Sequence, residues 1–103
     1  MIMPIRELAS KHPPEYAELV TDLVREWKNP SQSPEPVILF ERDSKKQVVH
    51  VYVVWGKWRH TDRVARSEII MDAAEQVLPA TEVLNITIAM GLTPDEAQRS
   101  GIQ

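Results

Sequence analysis

The sequence predicts an α+β domain in the order α-β-β-α-β-α, with one three-stranded mixed sheet and helices packed on one face. An amphipathic helical period comes first, followed by a proline-rich loop. Two β-branched segments then flank a short polar turn, which is typical of a hairpin. A second helical period and a third apolar segment follow. These elements most simply form one sheet, whose last strand runs parallel to a hairpin strand after a right-handed crossover.

The first helix is predicted from Pro14 to Trp27, where apolar residues recur at three- and four-residue steps. A shorter helix from Pro4 to Lys11 is expected before it, with "HPP" as the break between the two. The segment "NPSQSPEP" ends the helix, because its prolines and serines offer neither period nor apolar content. It is expected to be a loop inside the domain.

The hairpin is predicted to join strands at Val37–Phe40 and Val48–Trp55 through the polar turn "RDSKK". Side chains alternate along a strand, so one side of the second strand is expected to face the core. That side carries Val49, Val51, Val53 and Trp55.

A second helix is predicted from about Asp62 to Leu78, with Thr61 or Asp62 as its cap and Pro79 as its end. Its inner stripe is apolar and consists of Ile69, Ile70, Ala73, Ala74 and Val77.

A half-buried third strand is predicted from the alternation of Leu84, Ile86 and Ile88 with polar residues. The closing helix is predicted from the capping-box pattern of "TPDE", with Pro94 at its first position and Gly101 after its last turn.

The length of 103 residues predicts a single domain, with an N-terminal helical segment at 1–30 and a core at 36–103. The absence of cysteine excludes disulfides, thiolate nucleophiles and cysteine-ligated clusters. No apolar run approaches the roughly 20 residues of a membrane-spanning helix, and the N-terminus lacks the apolar core of a signal peptide. We therefore expect a cytoplasmic protein without membrane contact. The net charge of −3 argues against nucleic-acid binding through the global field.

Basic residues are concentrated just after the second strand, whereas the C-terminal region is acidic. These cations could contact an acidic protein or a phosphate backbone, and the tryptophan among them, expected to be partly exposed, could stack on a base. The alternative is a solvated loop with Trp55 and Trp58 in the core and the arginines paired with Asp62, Glu68 or the acidic tail. The candidate site residues are Lys57, Trp58, Arg59, His60, Arg63 and Arg66.

The segments "VYVVWGKWRHTDRVARSEII" and "LNITIAMGLTPDEA" resemble the signature of the BolA-like family, with Trp58, Val64 and Arg66 on matching positions. The resemblance covers about the last two-thirds of the chain and implies an α+β fold related to the class II KH domain. Ser67 stands where the family carries a cluster-ligating histidine, and "RDSKK" holds neither cysteine nor histidine. No metal cluster shared with a glutaredoxin is therefore expected. The KH-type G-x-x-G loop is also absent from "GKWR".

The residues needed for catalysis or metal binding show no recognisable pattern. The three histidines lack close ligand spacing, and the three glycines form neither a P-loop nor a dinucleotide fingerprint. We therefore predict no cofactor and a small non-enzymatic interaction or regulatory module that uses the stretch from Lys57 to Arg66. One alternative is an RNA- or DNA-binding domain that uses the same residues. Another is a small enzyme whose site the sequence does not reveal.

Overall fold

In the computed structural model, which describes residues 14–31 and 33–102, the chain forms one three-stranded sheet with helices on one face. The predicted class and element order are confirmed. The predicted helix at Pro4–Lys11 lies outside the described residues. The elements are α1 (Pro14–Lys28), β1 (Val37–Arg42), β2 (Val48–Val54), a 3₁₀ helix (Gly56–His60), α2 (Arg63–Val77), α3 (Ala80–Val83), β3 (Ile88–Leu92) and α4 (Pro94–Ser100).

The sheet has the strand order β1-β2-β3, with β2 antiparallel to β1 and parallel to β3. The hairpin turn closes because the Asp43 carboxylate accepts hydrogen bonds from the backbone N–H groups of Lys45 and Gln47. Lys46 adopts a left-handed conformation there, with φ of 66°. The central strand β2 begins after this turn and ends just before the 3₁₀ helix.

The core lies between the sheet and the pair α1 and α2. Leu23 of α1, Val51 and Val53 of β2, and Ile70 of α2 are all fully buried. Trp55 is 3% exposed, which confirms that the alternation along β2 continues inward beyond the strand. These helices are held against the same sheet face by one continuous apolar cluster.

The predicted helix caps are present. The Asp62 carboxylate accepts a hydrogen bond from the Ala65 N–H at 2.9 Å and begins α2. Thr93 and Glu96 form a reciprocal capping box at the start of α4, and Gly101 ends that helix in the left-handed region with φ of 73°. Sequence and local backbone geometry therefore agree at both helices.

The third strand begins later than predicted. Pro79 precedes the short helix α3, and the backbone N–H groups of Leu84 and Asn85 donate to carbonyls of that turn rather than to a strand. Leu84 is consequently 82% exposed, so its assignment to a half-buried strand was wrong. Backbone hydrogen bonding to β2 begins at Thr87, whose N–H donates to the Val49 carbonyl at 2.8 Å, and the paired residues of β3 start at Ile88. Among the described residues, no helix combines the length and apolarity that crossing a membrane requires.

Candidate functional site

The stretch from Gly56 to Arg63, which we call the basic turn, is anchored at both ends. At its start the Trp55 N–H donates to the Leu92 carbonyl at 2.9 Å, and the Gly56 N–H donates to a Glu35 carboxylate oxygen at 2.6 Å. At its end Asp62 caps α2. The sheet, the loop before β1 and α2 therefore all fix the path of this turn.

Trp58 is fully buried, so its predicted partial exposure was wrong. Its indole N–H donates to the Val53 carbonyl at 3.0 Å, and its ring packs edge-on against Trp55 with centroids 5.2 Å apart. In a 3₁₀ turn, residues three apart lie on the same side, so Trp58 follows Trp55 inward. Its aromatic face is not available to stack on a base.

Gly91 in β3 makes room for this arrangement. A Cβ atom at this position would lie 2.8 Å from both the Trp58 ring and the Arg66 Cβ. Real side chains do not approach that closely, so a glycine is needed for Trp58 and α2 to pack onto the strand.

Arg66 is 6% exposed and is a buried structural residue rather than a free surface cation. We call its guanidinium and the groups that it contacts the clasp. Its Nε donates to the Thr61 carbonyl at 2.7 Å and its Nη2 to the Trp58 carbonyl at 2.8 Å. Its Nη1 donates to the Gly91 carbonyl at 3.2 Å and to the Glu96 carboxylate at 2.7 Å. One guanidinium thus joins the basic turn, α2, β3 and α4.

Glu96 completes this clasp from α4. Its Oε1 accepts from the Thr93 N–H at 2.8 Å and from Arg66. The Thr93 N–H, and then the guanidinium groups of Arg66 and Arg63, lower the pKa of Glu96 to about 2. In the described residues, every buried side-chain nitrogen or oxygen has a hydrogen-bond partner. Arg66 therefore contributes to the site by fixing the backbone of the basic turn.

The other four candidate residues are at the surface. The side chains of Lys57, Arg59 and Arg63 are 61%, 55% and 64% exposed, and His60 is exposed as well. The three cations lie next to carboxylates of other elements, so the surface carries both signs of charge. The pairs are Lys57 with Asp22 at 3.2 Å, Arg59 with Asp95 at 3.6 Å and Arg63 with Glu96 at 3.6 Å.

The geometry divides the six predicted residues into two groups. Two are buried and shape the turn, whereas four surround it at the surface. The three-residue spacing of Trp55 and Trp58 was the available signal for a 3₁₀ turn. The sequence pattern predicts a capping role for Glu96, and its pairing with Arg66 agrees with the alternative in which the arginines pair with the acidic tail. In the described part of the chain, no group of three or more His, Asp or Glu side chains is placed to hold a metal ion.

No family model, curated protein or solved structure matches this chain.

Proposed function

We propose that this protein is a non-enzymatic interaction or regulatory module whose basic turn binds another protein. The observation that carries the proposal is the fixed presentation of Lys57, Arg59, His60 and Arg63 around a turn held by buried side chains. A rigid turn loses little conformational entropy when a partner binds. The turn is therefore suited to recognition of a defined surface.

A protein partner is favoured over nucleic acid by the charges around the turn. Asp22, Asp95 and Glu96 each lie within 4 Å of one of its cations, where they oppose a continuous phosphate backbone. The burial of Trp58 removes the stacking contact that single-stranded binding uses. A partner surface with both signs of charge complements this arrangement better than a polyanion.

We also propose kinship in fold with the BolA-like family. The succession of a valine-rich strand, the basic turn, a helix bearing Arg66 and a closing strand supports it. Ser67, at the position of the family's ligating histidine, donates its hydroxyl to the Ala89 carbonyl at 2.6 Å. This contact supports a structural use of the position and no cluster chemistry.

The experiment is affinity capture from the native cell with the double variant Arg59→Gln, Arg63→Gln. Glutamine removes both charges without placing a new carboxylate beside the acidic residues of α4. The matched control is Lys45→Gln, Lys46→Gln, which removes two charges at the opposite end of β2. We expect the first variant to lose the captured protein and the control to retain it.

Stability and nuclease controls make this result decisive. Exposed ion pairs contribute about 0–1 kcal/mol each, so the melting temperature should change little in either variant. Equal capture by both double variants and the unsubstituted protein would contradict the proposal. Loss of all captured protein after nuclease treatment would instead support the nucleic-acid alternative.

A further inference from the structure

A groove of about 530 Å³ lies beside the basic turn, between α1 and the first turns of α2. Its apolar lining comes from Leu19 of α1 and from Ala65 and Ile69 of α2. Its volume lies within the roughly 300–1,000 Å³ that is usual for binding sites. An apolar anchor from a partner could therefore enter it.

Carboxylates dominate the border of this groove. Glu15, Glu18 and Asp22 recur along one edge of α1, and Asp62 stands opposite them at the start of α2. The border also contains Lys57, whose charge is paired with Asp22. In the described part of the chain, the side-chain carboxylates of Glu15 and Glu18 have neither a hydrogen-bond nor an ion-pair partner. The groove therefore favours a cationic occupant.

We propose that this groove binds a basic amphipathic helical segment of the partner, an inference that rests on the proposed function. The acidic edge from Glu15 to Asp22 extends about 10 Å along α1, which is about two helical turns. A segment with an apolar seam and flanking lysines or arginines matches the apolar lining and the acidic border together. An acidic segment would bring like charges together at the same border.

The groove and the arginines of the basic turn face different neighbouring elements. Arg59 and Arg63 pair with residues of α4, whereas Lys57 pairs with Asp22 of α1 at the groove. A partner of mixed charge can thus place a basic segment against α1 and an acidic segment against the two arginines. This specifies the chemistry of the partner.

A labelled helical peptide tests the groove directly. The probe has about 14 residues, roughly four turns, with a leucine seam and lysines on both flanks; the control peptide replaces every lysine by glutamate. We expect fluorescence anisotropy to show saturable binding of the lysine peptide, with a Kd of about 10–100 μM, and none of the glutamate peptide. In an NMR titration the amide signals of Leu19, Ala65 and Ile69 should shift most.

Charge-removing variants locate the binding. Glu15→Gln, Glu18→Gln should weaken the lysine peptide about fivefold, since two exposed charge pairs are lost. The control Glu75→Gln, Glu82→Gln, which removes two exposed carboxylates outside the groove, should leave its affinity unchanged. Absence of saturable binding, equal binding of the glutamate peptide, or an unchanged affinity in the groove variant would each overturn the inference.

The outcome separates this inference from the proposed function. If the lysine peptide does not bind while capture still depends on Arg59 and Arg63, the groove proposal is wrong and the proposed function of the basic turn is retained. If the peptide binds the groove while capture ignores both arginines, the proposed function of the basic turn fails.

Discussion

Replacing Arg66 by methionine tests whether the clasp beneath the basic turn is structural. Methionine retains an unbranched side chain but loses the four hydrogen bonds to Thr61, Trp58, Gly91 and Glu96. Removing one partner of a buried ion pair costs about 3–5 kcal/mol. Glu96 keeps its own capping hydrogen bond and 19% side-chain exposure, so we expect the lower part of that range.

The measurements are urea unfolding and thermal unfolding, each followed by tryptophan fluorescence and circular dichroism. A loss of about 3–4 kcal/mol in the free energy of unfolding would lower the melting temperature by about 15–25 °C in a domain of this size. The matched control is Arg63→Met, because Arg63 pairs with the same Glu96 but has a side chain that is 64% exposed. That control should cost less than about 1 kcal/mol.

Arg66→Lys provides a third comparison. Lysine keeps the charge but lacks the planar fork that reaches several carbonyls at once, so it should recover less than half of the lost stability. The clasp does not hold the turn if the free energy of unfolding of Arg66→Met lies within about 1 kcal/mol of that of the unsubstituted protein. The same conclusion follows if Arg63→Met loses as much stability as Arg66→Met.

Three further predictions concern the same cluster. Gly91→Ala should lower the free energy of unfolding by about 1–3 kcal/mol, because its Cβ would lie 2.8 Å from Trp58 and Arg66; an unchanged thermal midpoint would refute this packing. Trp58→Phe removes the donor to the Val53 carbonyl and should cost about 1–3 kcal/mol in urea unfolding, whereas a neutral effect would mean that this hydrogen bond contributes nothing. The folded-state pKa of Glu96 is about 2, below the ordinary value of 4.5. The stabilisation by its ionised form is therefore full above pH 4.5 and lost as the pH falls to 2. The stability difference between the unsubstituted protein and Glu96→Gln should shrink over that interval, and a constant difference would contradict this.

The parts of the fold that could be predicted depend on local rules. Alternation along β2 placed Val51, Val53 and Trp55 in the core, and the caps at Asp62 and Thr93 followed from local side-chain chemistry. Such patterns depend only on residues that are close together in the sequence. They therefore identified both the element order and two helix starts.

Trp58 and Arg66 were misplaced because of contacts between distant segments, whereas Leu84 was misassigned because the local turn of α3 forms where a strand was predicted. Trp58 enters the core because the chain forms a 3₁₀ turn and because Gly91, far along the sequence, leaves space for its ring. Arg66 is buried because carbonyls and a carboxylate from three other segments meet its guanidinium. A run of basic residues does not show which members point inward, so the sequence offered all six as one surface and left open the alternative with Trp58 in the core.

The central claim is that a protein partner contacts the basic turn, and amine-reactive cross-linking in the native cell tests it most directly. Lys57 lies in the turn, whereas Lys45 and Lys46 lie at the opposite end of β2, about 20 Å or more away along the strand. All three lysines are exposed, so the reagent can reach each of them. The proposal predicts that mass spectrometry finds cross-links to the captured protein mainly at Lys57. Cross-links concentrated at Lys45 and Lys46, with none at Lys57, would contradict it.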